Sequence, residues 1–113
     1  MLTRGDGSVI CERCVVADRM LPRMKGLLGK RELSTGEGLL IQPAPSIHTF
    51  FMRFPIDVVF LAKNGEVMKV APHVGAWRMR SCRRAFAVLE LAAGEAERRG
   101  ITVGDRIDKA GAT

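Results

Sequence analysis

The fold is predicted most directly by residues 57–71, Asp57-Val-Val-Phe-Leu-Ala-Lys-Asn-Gly-Glu-Val-Met-Lys-Val-Ala71. Asn64-Gly65 is a dipeptide that two-residue type I′ hairpin turns favour. The flanking apolar runs therefore predict two antiparallel strands, Asp57–Lys63 and Glu66–Ala71. The loop length predicts the cross-strand pairs Lys63–Glu66, Leu61–Met68 and Val59–Val70. Both faces of the first strand are apolar, so we expect it to lie inside a sheet rather than at an edge.

Further elements are predicted on both sides of this hairpin. Val, Ile and Cys residues predict a strand over Ser8–Val16, and β-branched and aromatic residues predict another over Ala85–Leu91. Apolar residues at helical spacing predict a short helix between Asp18 and Gly29. Glu95–Arg99 is predicted to be a second helix, because its acids precede its bases as the helix dipole favours. Brief strands are predicted at Gly38–Ile41 and Arg106–Ile107.

These elements predict one α+β domain that spans residues 1–113, with a frayed tail at 109–113. We expect a mostly antiparallel curled sheet or small barrel with two short helices. The chain of 113 residues is long enough to bury a core of its own.

Composition limits the class of protein. A hydrophobic content of 47% argues against disorder. No apolar run approaches the roughly 18 residues of a membrane-spanning helix, and the first residues lack the hydrophobic segment of a signal peptide. Three cysteines, an odd number, fit a reducing compartment better than a disulfide framework. We therefore expect a soluble cytoplasmic protein that does not enter a membrane. The composition leaves its oligomeric state open.

The net charge of +6 raises the question of nucleic-acid binding. The densest basic stretch is Trp77–Arg84, which holds four arginines. Nucleic-acid-binding modules combine such charge with stacking aromatic side chains or with a helix that enters a groove. Trp77 is the one aromatic residue in this stretch. The pattern favours a solvated loop, and we expect no nucleic-acid partner.

Several short motifs occur in the order found in a known family. They are Gly26-Leu-Leu-Gly-Lys30, Gly38-Leu-Leu40, Phe50-Phe-Met-Arg53, Pro55-Ile-Asp-Val-Val-Phe60, Glu90-Leu91 with Gly94, and Gly104-Asp105. Over residues 10–107 the chain resembles the domain-of-unknown-function 192 family. The resemblance implies a compact, barrel-like α+β fold, and it brings no established activity, cofactor or catalytic residue. The chain departs from the family pattern at Phe51, where the family has Trp followed by a longer stretch, and at Ala92, where it has Pro.

Polar side chains interrupt the most hydrophobic stretch, residues 47–60. His48, Arg53 and Asp57 lie there among apolar neighbours, where a polar group must find a partner or titrate abnormally. In an extended segment, His48 lies on the same side as Met52. The imidazole of His48 could be a general base, a ligand donor or a metal ligand, or a core group with satisfied hydrogen bonds. The guanidinium of Arg53 could bind an anion or neutralise Asp57.

Two carboxylates, those of Asp57 and Glu90, are predicted on apolar strand faces. Different environments would allow such a pair to divide the roles of general acid and general base. Alternatively, each carboxylate is held by a nearby charge, such as that of Arg53, or by backbone N–H groups. The sequence leaves both interpretations open.

Cys11 and Cys14 have the spacing of a first pair of zinc ligands. Cys82, His48 and His73 could complete such a site, but the sequence has no second Cys-x-x-Cys or His-x-x-x-His pair. In a regular strand, residues three apart point to opposite faces, so we expect the two thiols to diverge. We therefore predict unreactive thiols, no metal and no cofactor.

The sequence thus predicts a small ligand- or peptide-binding accessory module with a polar cleft around His48, Arg53 and Asp57. The predicted ligand-binding residues are His48, Met52, Arg53, Asp57, Glu90, Trp77 and Arg78. Trp77 and Arg78 are placed at the rim, because Trp and Arg are enriched at interfaces. The alternative is a small enzyme with Asp57 or Glu90 as base, His48 as its acid/base partner and Arg53 holding an anionic substrate. The sequence does not identify the small molecule or protein that would bind.

Overall fold

The structure, a computed structural model, describes residues 1–17, 35–42, 46–48, 54–75 and 78–108. Within residues 46–48 the backbone is described and the side chains are not. The elements in these residues are β1 (Leu2–Arg4), β2 (Val9–Cys11), β3 (Arg13–Ala17), β4 (Glu37–Ile41), β5 (Ser46–His48), β6 (Ile56–Leu61), β7 (Val67–Val74), β8 (Met79–Ser81), β9 (Ala87–Ala92), α1 (Glu95–Arg98) and β10 (Ile107–Asp108).

The largest sheet has five strands in the order β3-β4-β9-β6-β7. β3 and β4 run parallel, and the other neighbours are antiparallel. All six residues of β6 are buried, and β6 lies between β9 and β7, which confirms that this strand is interior. A smaller sheet has the order β10-β1-β2, and β5 pairs with β8 in a two-stranded ribbon.

The five-stranded sheet buries an apolar layer on each face, because alternate residues of its central strands point to opposite sides. One layer, which we name the Glu90 face, contains Leu39, Ile41, Ile56, Val58, Phe60 and Val88. The other layer, which we name the Asp57 face, contains Leu40, Val59, Leu61, Leu89 and Leu91. Side chains of the smaller sheet and of α1, such as Leu2, Ile10, Ile107 and Ala96, pack against the Asp57 face.

The hairpin lies where Asn64-Gly65 predicts it, but its turn differs from the predicted one. The N–H of Gly65 donates to the carbonyl of Ala62 at 2.9 Å, and Gly65 has φ of 93°. A turn followed by a glycine in the left-handed region is the three-residue connection with a bulge, not the two-residue loop. Val59 pairs with Val70 as predicted, whereas Leu61 pairs with Val67 and not with Met68, because the register shifts between Phe60 and Leu61.

The other predicted elements agree with the structure only in part. The strand predicted over Ser8–Val16 is two strands in two sheets, β2 and β3, with a bend at Glu12 between them. The second predicted helix is α1, which follows Gly94 and ends before Gly100. The predicted helix between Asp18 and Gly29 lies outside the described residues.

The closed barrel that we expected as one alternative does not form in the part of the chain that the structure describes. Its strands make three open sheets, with β3 and β7 at opposite edges of the largest. The structure is therefore rich in strands, with mixed parallel and antiparallel pairing and one short helix among the described residues.

Candidate functional site

Asp57 is buried under the start of α1, and backbone groups hold its carboxylate. Oδ1 accepts a hydrogen bond from the N–H of His73 at 2.8 Å. Oδ2 accepts two more, from the N–H groups of Gly94 at 3.0 Å and Ala96 at 2.8 Å. Gly94 precedes the helix and has no side chain to cap it, so the carboxylate of Asp57 takes the place of an N-cap oxygen. This arrangement agrees with the second of the two interpretations given above, in which backbone N–H groups hold the Asp57 carboxylate.

The same carboxylate fixes a distortion in β7. His73 has φ of 50°, and the register between β6 and β7 shifts near this point. A residue other than glycine is strained in that conformation unless its surroundings hold it. The hydrogen bond from the His73 N–H to Asp57 supplies such a restraint. Asp57 therefore joins β6, β7 and α1.

Glu90 lies on the opposite side of the sheet from Asp57. In the register of β6 and β9, Asp57 pairs with Leu91, and Glu90 pairs with Val58. On its other side Glu90 pairs with Leu39 of β4. Its side chain is fully buried. Asp57 and Glu90 therefore cannot be the two members of one acid/base pair, because a whole sheet separates their carboxylates.

Two predicted site residues come together at one end of the ribbon of β5 and β8. The backbone of His48 pairs with that of Met79, and Arg78 is the residue before Met79. Arg78 is exposed, and 63% of the surface of Met79 is accessible. The ribbon connects to the Glu90 face at Cys82, which packs against the apolar layer there. The three other predicted residues, Met52, Arg53 and Trp77, lie outside the described residues.

A charge network that the sequence analysis missed connects α1 to β2. Glu95, with 4% of its surface exposed, receives a hydrogen bond from Nε of Arg99 at 2.7 Å and another from Arg98 at 2.7 Å. Arg99 also donates to the carbonyl of Val9 at 3.0 Å and to the carboxylate of Glu12 at 2.9 Å. The spacing of Glu95 and Arg99, four residues apart in a predicted helix, was the available signal.

Opposing effects set the pKa values in this network. Burial alone would raise the pKa of the Glu95 carboxyl, but the hydrogen bonds from Arg99 and Arg98 outweigh burial and lower it. Burial alone would lower the pKa of Arg99, but its hydrogen bonds to Glu12 and Glu95 outweigh burial and raise this pKa. Both groups are therefore held in their charged forms, as an ion pair that fixes the helix to the smaller sheet.

The two thiols of Cys11 and Cys14 do not diverge as predicted. Both residues pack with the layer of the Asp57 face, and their thiols share a hydrogen bond. That hydrogen bond lowers the pKa of Cys11, and it raises the pKa of Cys14 together with burial. The prediction was wrong because it assumed one regular strand, whereas the chain bends at Glu12 between the two cysteines.

An open groove of about 280 Å³ lies at the hairpin end of the sheet. Its walls include Leu2, Leu40, Phe86 and Ile107, with Lys63 and Asp108 among its polar groups. None of the predicted site residues lines this groove. Within the described ranges, no group of three or more His, Cys, Asp or Glu residues is arranged to hold a metal ion. In those ranges no helix has both the length and the apolar character needed to cross a membrane.

The sequence profile of DUF192, a family described as an uncharacterised ACR, matches residues 2–109. The chain belongs to the DUF192 family. This match confirms the resemblance stated above and extends it to nearly the whole chain. No curated protein matches the sequence.

Two crystal structures share the fold of this DUF192 protein. A protein of unknown function from Novosphingobium aromaticivorans has a TM-score of 0.81 at 25% identity, and the match covers 96% of this chain and 81% of that one. A putative transcription regulator from Sinorhizobium meliloti has a TM-score of 0.78 at 24% identity, with coverage of 98% and 92%. These similarities support the fold and assign no activity to this chain.

Proposed function

We propose that this DUF192 chain is a small ligand-binding accessory module with its site on the Glu90 face. The observation that carries the proposal is Glu90, a carboxylate with no exposed surface in the central strand β9. Its register neighbours, Leu39 and Val58, are both apolar. Removing a carboxylate from water costs several kcal/mol, and buried acids of this kind are enriched at binding and catalytic sites.

The other buried acids among the described residues have structural roles. Asp57 accepts three backbone N–H groups that connect three elements. Glu95 pairs with two arginines that fix α1. Glu90 lies in a different apolar layer from both. We propose Glu90 for ligand recognition because the ribbon of β5 and β8 connects to that same layer at Cys82.

The ligand that best fits this site carries an amine or guanidinium group, because charge-assisted hydrogen bonds are the strongest that a buried carboxylate can accept. Such a group occurs on small metabolites and on Lys or Arg side chains of a peptide. Met79, at the exposed end of the ribbon, forms the rim in this proposal, and the guanidinium of Arg78 beside it would contact an acidic group elsewhere on the ligand. The predicted residues His48, Met52, Arg53 and Trp77 are proposed as further lining.

The test is isothermal titration with arginine amide, free alkylamines and short Lys- or Arg-containing peptides. We expect wild type to bind at least one of these compounds and Glu90→Gln to bind it at least tenfold more weakly, since the variant keeps the shape and loses the charge. Glu97→Gln is the matched control, because Glu97 is an exposed acid in α1. Free amines and peptides in separate titrations distinguish the two ligand sources.

Two outcomes would reject the proposal. One is equal binding by wild type and Glu90→Gln while circular dichroism shows both to be folded. The other is no binding by wild type to any compound of the panel, which removes the amine class. The enzyme alternative with Asp57 and Glu90 as a pair is not proposed, because the two acids lie on opposite faces. An enzyme that pairs Glu90 with His48 stays a prediction.

A further inference from the structure

Cys11 and Cys14 lie next to each other on the Asp57 face, away from the proposed ligand site. Cys14 pairs with Gly38 in the parallel register of β3 and β4. A Cβ atom built on Gly38 would lie 2.7 Å from Sγ of Cys11. The sulfur of Cys11 therefore occupies the space of a side chain at position 38. Neighbouring strands lie about 4.8 Å apart, so this position is directly beside Cys14.

The two thiols differ in access to solvent. Cys11 has 0% of its surface exposed, whereas Cys14 is half-buried. Their shared hydrogen bond lowers the pKa of Cys11 and, together with burial, raises the pKa of Cys14, so the first proton to leave the pair comes from the deeper sulfur. The third cysteine, Cys82, packs on the Glu90 face and cannot reach them through the sheet.

We infer that Cys11 and Cys14 form a reversible intramolecular disulfide by exchange with a small-molecule disulfide. The geometry places one accessible and one shielded sulfur side by side, which is the arrangement of an attacking thiol and a resolving thiol.

The exchange takes place in two steps. The Cys11 thiolate takes the proton of the neighbouring Cys14 thiol, and the Cys14 sulfur then attacks one sulfur of the small disulfide, which breaks that S–S bond and releases one thiolate. The Cys11 thiol then gives its proton to the released thiolate, and its sulfur attacks Sγ of Cys14 in the mixed disulfide, forms the Cys11–Cys14 bond and expels the second thiolate. Two cysteine thiols are oxidised, and one small-molecule disulfide is reduced to two thiols.

The test uses the full chain, first reduced and then incubated with oxidised glutathione, with intact mass measured after acid quenching. We expect a product lighter than the reduced protein by two hydrogen atoms, and peptide mapping should link Cys11 to Cys14. Cys82→Ser, the matched control on the other face, should give the same product. Cys14→Ser should abolish it, and Cys11→Ser should stop at a stable glutathione adduct on Cys14.

Three results would overturn the inference. They are a wild-type protein that stays fully reduced, one that keeps a lasting glutathione adduct on Cys14, and a disulfide that involves Cys82. The wild-type measurement decides the question even if Cys11→Ser fails to fold, because it needs no substitution. The inference does not depend on the ligand site, so its failure leaves the proposal for Glu90 unaffected.

Discussion

At the scale of single residues, Asp57 and Glu90 show how two buried acids in adjacent strands take different roles. Asp57 is surrounded by N–H groups that the backbone directs at it from β7 and from the start of α1. Glu90 lies in an apolar layer on the other face. We therefore assign Asp57 to stability and propose Glu90 for recognition.

Replacing Asp57 should destabilise the fold strongly. Asp57→Ala removes the acceptor of three buried N–H groups, each of which costs about 1–3 kcal/mol when left unsatisfied. We expect the free energy of unfolding to fall by at least about 3 kcal/mol in urea denaturation at neutral pH. Asp57→Asn should also be destabilising, because its amide NH₂ directs donors at donors. A loss below about 0.5 kcal/mol, the range of ordinary surface substitutions, would contradict the structural role of Asp57.

Gly65 is a second residue with a specific requirement. Its φ of 93° disfavours any side chain, and a Cβ there would lie 2.3 Å from the carbonyl oxygen of Ile107. We expect Gly65→Ala to lower the free energy of unfolding by more than about 2 kcal/mol, from strain and overpacking together. Gly5→Ala is the control, since a Cβ at Gly5 has no neighbour within 4 Å. Thermal and urea unfolding of both variants measure the difference, and equal stabilities would show that the close approach to Ile107 is not required.

At the scale of elements, α1 is held from two directions. Asp57 caps its start, while Glu95 and Arg99 bind it to β2 through the carbonyl of Val9 and the carboxylate of Glu12. A four-residue helix is far too short to be stable alone. Its conformation is therefore a result of these tertiary contacts.

The contribution of this element to stability should be lost at acid pH, when the carboxylate of Glu95 becomes protonated. Its pKa in the folded state is below the ordinary value of 4.5, so folding favours the ionised carboxylate. The stabilisation is present above about pH 4.5 and is lost as the pH falls through the lower folded value. Glu95→Gln should cost about 2 kcal/mol at neutral pH. It should also make the free energy of unfolding fall less steeply below pH 4.5 than in wild type.

Urea denaturation at a series of pH values between neutral and acid checks this dependence. Glu97→Gln serves as the control, because Glu97 is exposed on the same helix. An acid slope of Glu95→Gln identical to that of wild type would mean that the Glu95–Arg99 pair does not contribute to stability.

The same elements show how far the sequence predicts the fold. The apolar runs on both sides and the Asn64-Gly65 signal were enough to place the central hairpin, since both are local properties. The turn type depends on a distant contact as well, because the carbonyl of Gly65 accepts a hydrogen bond from the N–H of Ile107 at 2.9 Å, 42 residues along the chain. The bend at Glu12 was missed for a similar reason: its carboxylate is held by Arg99 of the distant helix end.

The sequence predicted the candidate site only in part, because the site depends on which residues of β6 and β9 pair with each other. The sequence identified Asp57 and Glu90 as buried acids, and both are buried. Whether they share a face depends on which residue of β9 lies opposite Asp57, and no local pattern contains that information. The observed partner of Asp57 is Leu91, so the two acids separate.

At the scale of the whole molecule, the chain carries a net charge of +6. Arg83 and Arg84 are exposed in a turn, which fits the solvated loop that the sequence favours. We expect no gel shift with single- or double-stranded nucleic acid even at low salt, where phosphate contacts are strongest. A shift that weakens with added salt and is lost in Arg83→Ala/Arg84→Ala would instead identify this turn as a nucleic-acid contact.

The central claim is that the sheet separates a structural face from a binding face, and methyl NMR tests it most directly. The tightest-binding amine of the panel would be added to protein labelled at Leu and Val methyl groups. We predict shifts at Leu39, Val58 and Val88 on the Glu90 face, and little change at Val59, Leu61 and Leu89 on the Asp57 face. Shifts confined to the Asp57 face would contradict the account.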